Sequence, residues 1–300
     1  MLINFVMLQL KAYWNVVQEM SEPVRFHISN SVVNTTALND AVNVHFFAPG
    51  DNNYSEKVDF DKGVKVFLPH GISDKGYRTG ESLKEFDFIC VSGPFWAEKL
   101  TDEGIPGEKI FIGGYPKLDS VFTKRKTLHH TNIKPIVLYA PTHTNSAVCA
   151  YSELTEDMIK LPSYVDLITS LHPYNNLDHL TTTEQLIHAD VVISDIGSLV
   201  WEAWALGIPV VFPDWVVKDR LISALPTTLT AHIYREGIGY HADSLEELPE
   251  QVCKAIDQGI TEAESDLINR VFPAELRGIS GKATAEHLLH IASETGGFAV

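Results

Sequence analysis

Residues 189–215 read ADVVISDIGSLVWEAWALGIPVVFPDW, and this stretch decides the fold. It opens on Val191-Val192-Ile193, an apolar run of the kind that forms a parallel strand buried on both faces. The run stops at Ser194-Asp195-Ile196-Gly197-Ser198, a turn of small and hydrogen-bonding residues. A helix is predicted from Leu199 to Leu206, with Gly207 past its end as a C-cap and Pro209 just beyond. A second buried strand at 209–212 closes a right-handed βαβ unit.

The chemistry of such a unit lies in its turn. The first N–H groups of the helix lack intrahelical partners, and the helix dipole places partial positive charge beside them. A phosphate fits that position, with Gly197 allowing close approach and the hydroxyls of Ser194 and Ser198 adding donors. Ser198 and Glu202 are four apart and share one helical face, so Glu202 can reach a hydroxyl of whatever carries the phosphate. The same residues also suit a plainer role, with Ser198 or Asp195 capping the helix and Glu202 on a solvated face.

A chain of 300 residues is long for one domain and fits two α/β domains. Hydrophobic content of 45% supports a full core, and the net charge of −16 argues against a nucleic-acid partner. A small anionic substrate held by a local site remains compatible with that charge. Cys90, Cys149 and Cys253 are widely spaced in apolar settings, which suggests buried thiols in a reducing cytoplasm. The opening MLINFVMLQL lacks a basic start and a cleavage site, and Lys11 interrupts it well short of the ~20 residues that span a bilayer.

Outward from the central unit, helical and strand signals alternate. Toward the N-terminus, a helix is predicted around 8–20, with strands at 24–29, 42–47, 63–68, 86–92 and 110–114 and a helix at 94–103. The polar, basic segment 123–134 (TKRKTLHHTNIK) reads as an interdomain linker. Beyond it come strands at 135–139 and 165–171, helical signal at 152–160, a short helix at 183–188, and helices at 245–258, 262–271 and 284–293. This alternation predicts two doubly wound parallel sheets, a Rossmann-like domain at 1–130 and another at 131–300. The last helix has the option of packing back on the first domain.

Polar residues gather where predicted strands end: His70, Tyr115, Thr142, His143, His172 and Ser194–Ser198. That edge is where open α/β sheets bind ligands, and two such edges facing across a cleft suit a two-substrate enzyme. His70 on a tight turn is placed as a general base, with Asp74 four residues on to orient it. His172, fixed by Pro173, is placed to neutralise a diphosphate as it breaks, and His143 between two threonines is a further candidate. Lys75 and Lys117 are possible phosphate partners. With 13 histidines in the chain, each alone also fits an ordinary structural role. The nucleotide loops GxxxxGKS/T and GxGxxG, the GxSxG elbow, CxxC pairs and HExxH are absent; no metal site and no cofactor are expected.

Taken together, these segments resemble the CDP-glycerol glycerophosphotransferase family, the teichoic-acid primases and polymerases. His70-Gly71 looks like the family's HG motif, and Gly114-Tyr115-Pro116-Lys117-Leu118-Asp119 like its GYPRxD segment. Leu138-Tyr139-Ala140-Pro141-Thr142 is similar to its LYAPTW strand, with His143 where tryptophan is usual. Leu171-His172-Pro173 looks like its LHP motif, and Ser194–Ser198 like its SDYSS motif with Ile196-Gly197 in place of Tyr-Ser.

The resemblance implies a GT-B fold, two Rossmann-like domains facing a cleft. It also implies a transferase that moves glycerol phosphate, or a related polyol phosphate or sugar, from a nucleotide-activated donor to an acceptor hydroxyl. His70 would be the base, and Gly71 beside it would help to hold the donor phosphate. Thr142, His143, His172, Ser194, Asp195, Gly197, Ser198 and Glu202 would line the donor, and Lys75, Tyr115 and Lys117 the rest of the cleft. The implied partners are the donor and a polyol or glycan acceptor, free or lipid-linked. The setting is cytoplasmic, with peripheral association at the inner membrane face left open.

Two other readings compete. SDIGSLVWEAWALGIPVV also resembles the SDSGGxxEEAxxLGxPV segment of UDP-N-acetylglucosamine 2-epimerases, with Trp201 and Glu202 at its paired glutamates. A GT-B-derived binding protein without turnover is the third.

Overall fold

The computed structural model describes residues 3–7, 14–21, 24–28, 41–46, 60–69, 71–73, 80–127, 134–142, 148–171 and 182–294. The chain forms two compact units, Met1–Gly71 with Arg78–Ser120 and Arg270–Val300, and Ile72–Tyr77 with Val121–Asn269. Each holds one all-parallel sheet.

In the first unit the strands are β1 (Ile3–Met7), β2 (Val24–Ile28), β3 (Val42–His45), β4 (Val64–Phe67), β5 (Phe88–Val91) and β6 (Ile110–Ile112), in the order β2-β1-β3-β4-β5-β6. Val42, Val44 and Val66 join Ile3 and Cys90 in a core that the last helix, Ser280–Glu294, completes with Ala285, Leu288, Ile291 and Ala292. Those positions recur at helical spacing, so one face of that helix is apolar and packs on the sheet.

The segment 113–119 anchors this helix. Gly113 approaches so closely that an added Cβ would lie 2.6 Å from both Cys90 Sγ and Thr284 Oγ1. Asp119 then accepts the N–H groups of Ser280 at 3.2 Å and Gly281 at 2.6 Å, satisfying donors that the helix start leaves open.

The second unit contains β7 (Ile136–Tyr139), β8 (Asp166–Thr169), β9 (Val191–Ile193), β10 (Val210–Pro213) and β11 (Tyr240–Ala242), ordered β11-β10-β9-β7-β8. The three central strands are buried throughout except for a half-buried Ile136, as continuous apolar runs require. The edge strand β8 alternates exposed and half-buried residues.

The helix after β9 runs Ser198–Ala205 and buries Val200 through Ala205, which fits a sequence that is apolar there except for Glu202. Trp201 and Trp204 meet edge to face at 5.4 Å, and Trp204 continues onto Phe212 of β10 at 6.1 Å. Glu262–Val271 begins with a reciprocal cap: Thr261 N–H donates to Glu264 Oε2 at 2.7 Å, and Glu264 N–H to Thr261 Oγ1 at 3.2 Å.

Three expectations are corrected. Residues 123–127 belong to the helix Asp119–Thr127 and are not linker; Val121 and Phe122 bury against the protein while Lys124 and Lys126 face out. Arg125 fastens the helix by donating from Nη1 to the carbonyls of Leu186, Ile187 and Ala189, each at 3.1 Å. Residues 152–160 form turns and not a helix, because Ser152 bonds the Cys149 carbonyl and Thr155 bonds Asp157, local contacts that compete with helical pairing. Cys253 is not buried like Cys90 and Cys149; it lies half-exposed, 3.3 Å from the Tyr164 hydroxyl.

Candidate functional site

Chain order reverses in the second sheet between β7 and β9: β8 lies outside β7, whereas β10 and β11 extend from β9. Loops leaving neighbouring strands in opposite directions open a crevice at their carboxyl ends, where α/β sheets bind ligands. The pairing Tyr139↔Ile193 sets those ends level, so Ala140-Pro141-Thr142 and Ser194–Ser198 emerge side by side.

Several polar groups are committed to building this crevice. Ser194 Oγ donates to the Ala140 carbonyl at 2.7 Å, tying the two strand ends together. Asp195 is fully buried, and its carboxylate accepts the N–H groups of Thr142 (3.0 Å), Ala150 (2.7 Å) and Ile196 (2.6 Å). An anion inside the protein needs such donors, and here they join three separate segments around one side chain. Cys149 Sγ donates to the Thr142 carbonyl at 3.0 Å, and Tyr139 donates its hydroxyl to Leu154. Thr142, Ser194 and Asp195 are therefore interior struts of the crevice.

What faces outward is Gly197, Ser198 and Leu199, the start of the Ser198–Ala205 helix, all half-buried. Gly197 holds φ 106° and ψ −173°, a conformation open to glycine alone, and no side chain caps the helix. Ser198 Oγ accepts the N–H of Ile72 at 3.3 Å. Glu202, one turn along, is only 2% exposed, so it lies inside and not on a solvated face.

The remaining candidates divide. Tyr115 and Lys117 belong to the first unit: Tyr115 is buried against Phe272 with ring centres 6.3 Å apart, and Lys117 Nζ lies 5.9 Å over the Tyr115 ring. Gly71 is half-buried and ends the first stretch of the first unit, Met1–Gly71. His70, Asp74, Lys75, His143 and His172 lie outside the described residues. Among the described residues no group of His, Cys, Asp and Glu is arranged to hold a metal ion, and no helix is long and apolar enough to cross a membrane.

Sequence reasoning missed Tyr234, whose hydroxyl donates to the Asp195 carbonyl at 2.7 Å, and Ala150, whose N–H meets the Asp195 carboxylate. Neither carries a local signal: one sits in an ordinary amphipathic helix, and the other acts through its backbone.

No protein-family model and no curated protein matches this chain. Solved structures do. The wall teichoic acid polymerase TagF is similar with a TM-score of 0.61 at 14% identity, covering 98% of this chain and 89% of that one. The UDP-GlcNAc 2-epimerase of Methanocaldococcus jannaschii, in complex with UDP-GlcNAc and UDP, reaches 0.58 at 13% identity over 97% and 100%. The S. aureus MnaA–UDP structure gives 0.55 at 10% identity over 97% and 96%. With the two parallel sheets, these likenesses establish a two-domain, Rossmann-like GT-B fold.

Proposed function

We propose that the protein is a transferase that moves a polyol phosphate, such as glycerol phosphate, from a nucleotide-activated donor to an acceptor hydroxyl. The observation that carries this reading is the hydrogen bond from Ile72 N–H to Ser198 Oγ. It joins the turn 194–198, one of the segments on which the transferase resemblance rests, to Ile72, the residue that follows the His70-Gly71 motif. The epimerase motif has no counterpart of HGISDKGY.

In this reading the donor diphosphate lies at Gly197, Ser198 and the open helix start, with His172 offsetting its charge. Ser194, Asp195 and Thr142 shape the floor, and Glu202 backs the helix. His70, oriented by Asp74, takes the proton of the acceptor hydroxyl. The hydroxyl oxygen bonds the phosphorus carrying the polyol as the bond to the bridging oxygen breaks, and the nucleoside monophosphate leaves with the electron pair. Positioning and charge stabilisation account for most of the rate in this scheme. Lys75, His143, Tyr115 and Lys117 are assigned to the remainder of the substrate region.

A second reading, a sugar-nucleotide 2-epimerase, is favoured by Glu202 within SDIGSLVWEAWALG and by neighbours as similar in fold as TagF. Thermal stabilisation and free nucleotide, followed with CDP-glycerol, CDP-ribitol and UDP- and GDP-sugars, separate the two. Stabilisation by a CDP-polyol, with CMP released once an acceptor is added, supports the transferase. Stabilisation by a UDP-sugar with no steady-state release supports the epimerase and overturns the proposal, as does no response to any donor.

A further inference from the structure

Tyr234 lies in the helix Leu229–Glu236, which enters no motif of the sequence reading. Its side chain is wholly buried, and its hydroxyl donates to the Asp195 carbonyl. The ring is held by Phe212 at 5.2 Å and His241 at 5.5 Å. His241 is itself fixed, Nδ1 lying 2.7 Å from Asp214 Oδ1 and Nε2 3.1 Å from the Ile238 carbonyl. Burial, with Asp195 and Asp214 nearby, pushes the phenol well above its ordinary value, so it remains a donor.

The peptide that Tyr234 holds is the one that enters the turn. Its carbonyl points to Tyr234, and its N–H, that of Ile196, points to Asp195 Oδ1 at 2.6 Å. With both ends bound, the peptide plane cannot rotate. Rotation matters electrostatically, because a carbonyl oxygen turned outward would set partial negative charge against a phosphate, whereas N–H groups attract one.

We propose that Tyr234 is a positioning residue for a nucleoside diphosphate: by holding the Asp195 carbonyl inward, it keeps residues 195–198 in the conformation that admits the diphosphate. This rests on the reading of that turn as the donor-binding element.

Tyr234→Phe removes the hydroxyl and keeps the ring. Tyr240→Phe is the matched control, since that hydroxyl also donates to a carbonyl, Gly259 at 2.6 Å, outside the turn. Two readouts are made: amide hydrogen exchange over residues 194–199 in ligand-free protein, and calorimetric affinity for CDP and UDP. A carbonyl left without its partner in the interior predicts about tenfold faster exchange there, and about tenfold weaker binding, in Tyr234→Phe. Tyr240→Phe changes neither. Unchanged exchange in Tyr234→Phe overturns the positioning role. An equal loss of affinity in both variants reduces the effect to general stability and also overturns it. Faster exchange in a protein whose wild type binds neither nucleotide locates the failure in the reading of the turn, and the diphosphate role falls with it.

Discussion

Asp119 and Gly281 stand 162 positions apart, yet Asp119 Oδ2 accepts the Gly281 N–H at 2.6 Å. Burial outweighs the backbone donors and raises the carboxyl from its ordinary 3.8 to about 6. Between those values the folded chain keeps a proton that the unfolded chain releases, so this group's contribution is complete below the window and is lost as pH rises through it. Asp119→Asn is expected to flatten that slope in urea-denaturation midpoints measured between about pH 4 and 6.

His45 acts in the opposite sense. It is fully buried between Phe60 at 5.1 Å and Phe86 at 6.0 Å. Burial, then the charge of Lys65, lowers it from 6.5 to about 3. The unfolded chain binds a proton there first, so stability is complete above 6.5 and is lost as pH falls toward 3. His45→Leu is expected to remove this acid-sensitive limb, read as a smaller loss of midpoint on acidification than in wild type.

Gly281 has no room for a side chain: an added Cβ would sit 2.5 Å from the Asn15 carbonyl oxygen. Gly281→Ala is expected to cost about 1–3 kcal/mol by forcing the last helix from its seat. Gly107, with nothing within 4 Å, is the control, and Gly107→Ala should leave thermal unfolding nearly unchanged. Equal effects would show that packing at Gly281 is not the cause.

The proposed division of labour predicts different kinetics for two substitutions. His70→Ala should abolish transfer while nucleotide affinity stays near wild type. Gly197→Ala meets no atom within 4 Å, so its cost, about 1–3 kcal/mol, comes from the backbone conformation and should appear as weaker nucleotide binding. Wild-type rates in the first variant would remove His70 from the mechanism.

The central βαβ unit was legible because its signals are local. An unbroken Val-Val-Ile run, a small-residue turn and a C-terminal Gly-Pro pair each report on their own neighbourhood. The strands flanking it were legible for the same reason, their ends off by a residue or two. The helices Asp214–Ala224 and Leu229–Glu236 and the strand Tyr240–Ala242 were missed. The first of these has apolar residues on no clear stripe, and the strand has only three residues. Of the candidate site, the turn after β9 was legible as the end of a buried strand, but which of its side chains point inward was not. Ser194 and Asp195 were read as ligand-facing from residue type. Their burial follows from partners at Ala140, Thr142 and Ala150, contacts that no spacing within the turn encodes. Arg125 shows the same blindness, its basic neighbourhood resembling linker until the three carbonyls it grips are known.

The return of Arg270–Val300 to the first unit bears on how the chain is made. A ribosome releases β1–β6 long before the helix Ser280–Glu294 that covers Val42, Val44 and Val66. The second unit has all its residues by Asn269 and can close while the first still waits. Until the helix Ser280–Glu294 emerges, the nascent first sheet offers bare valine to chaperones and proteases, and a ribosome stalled before it would leave the sheet that way.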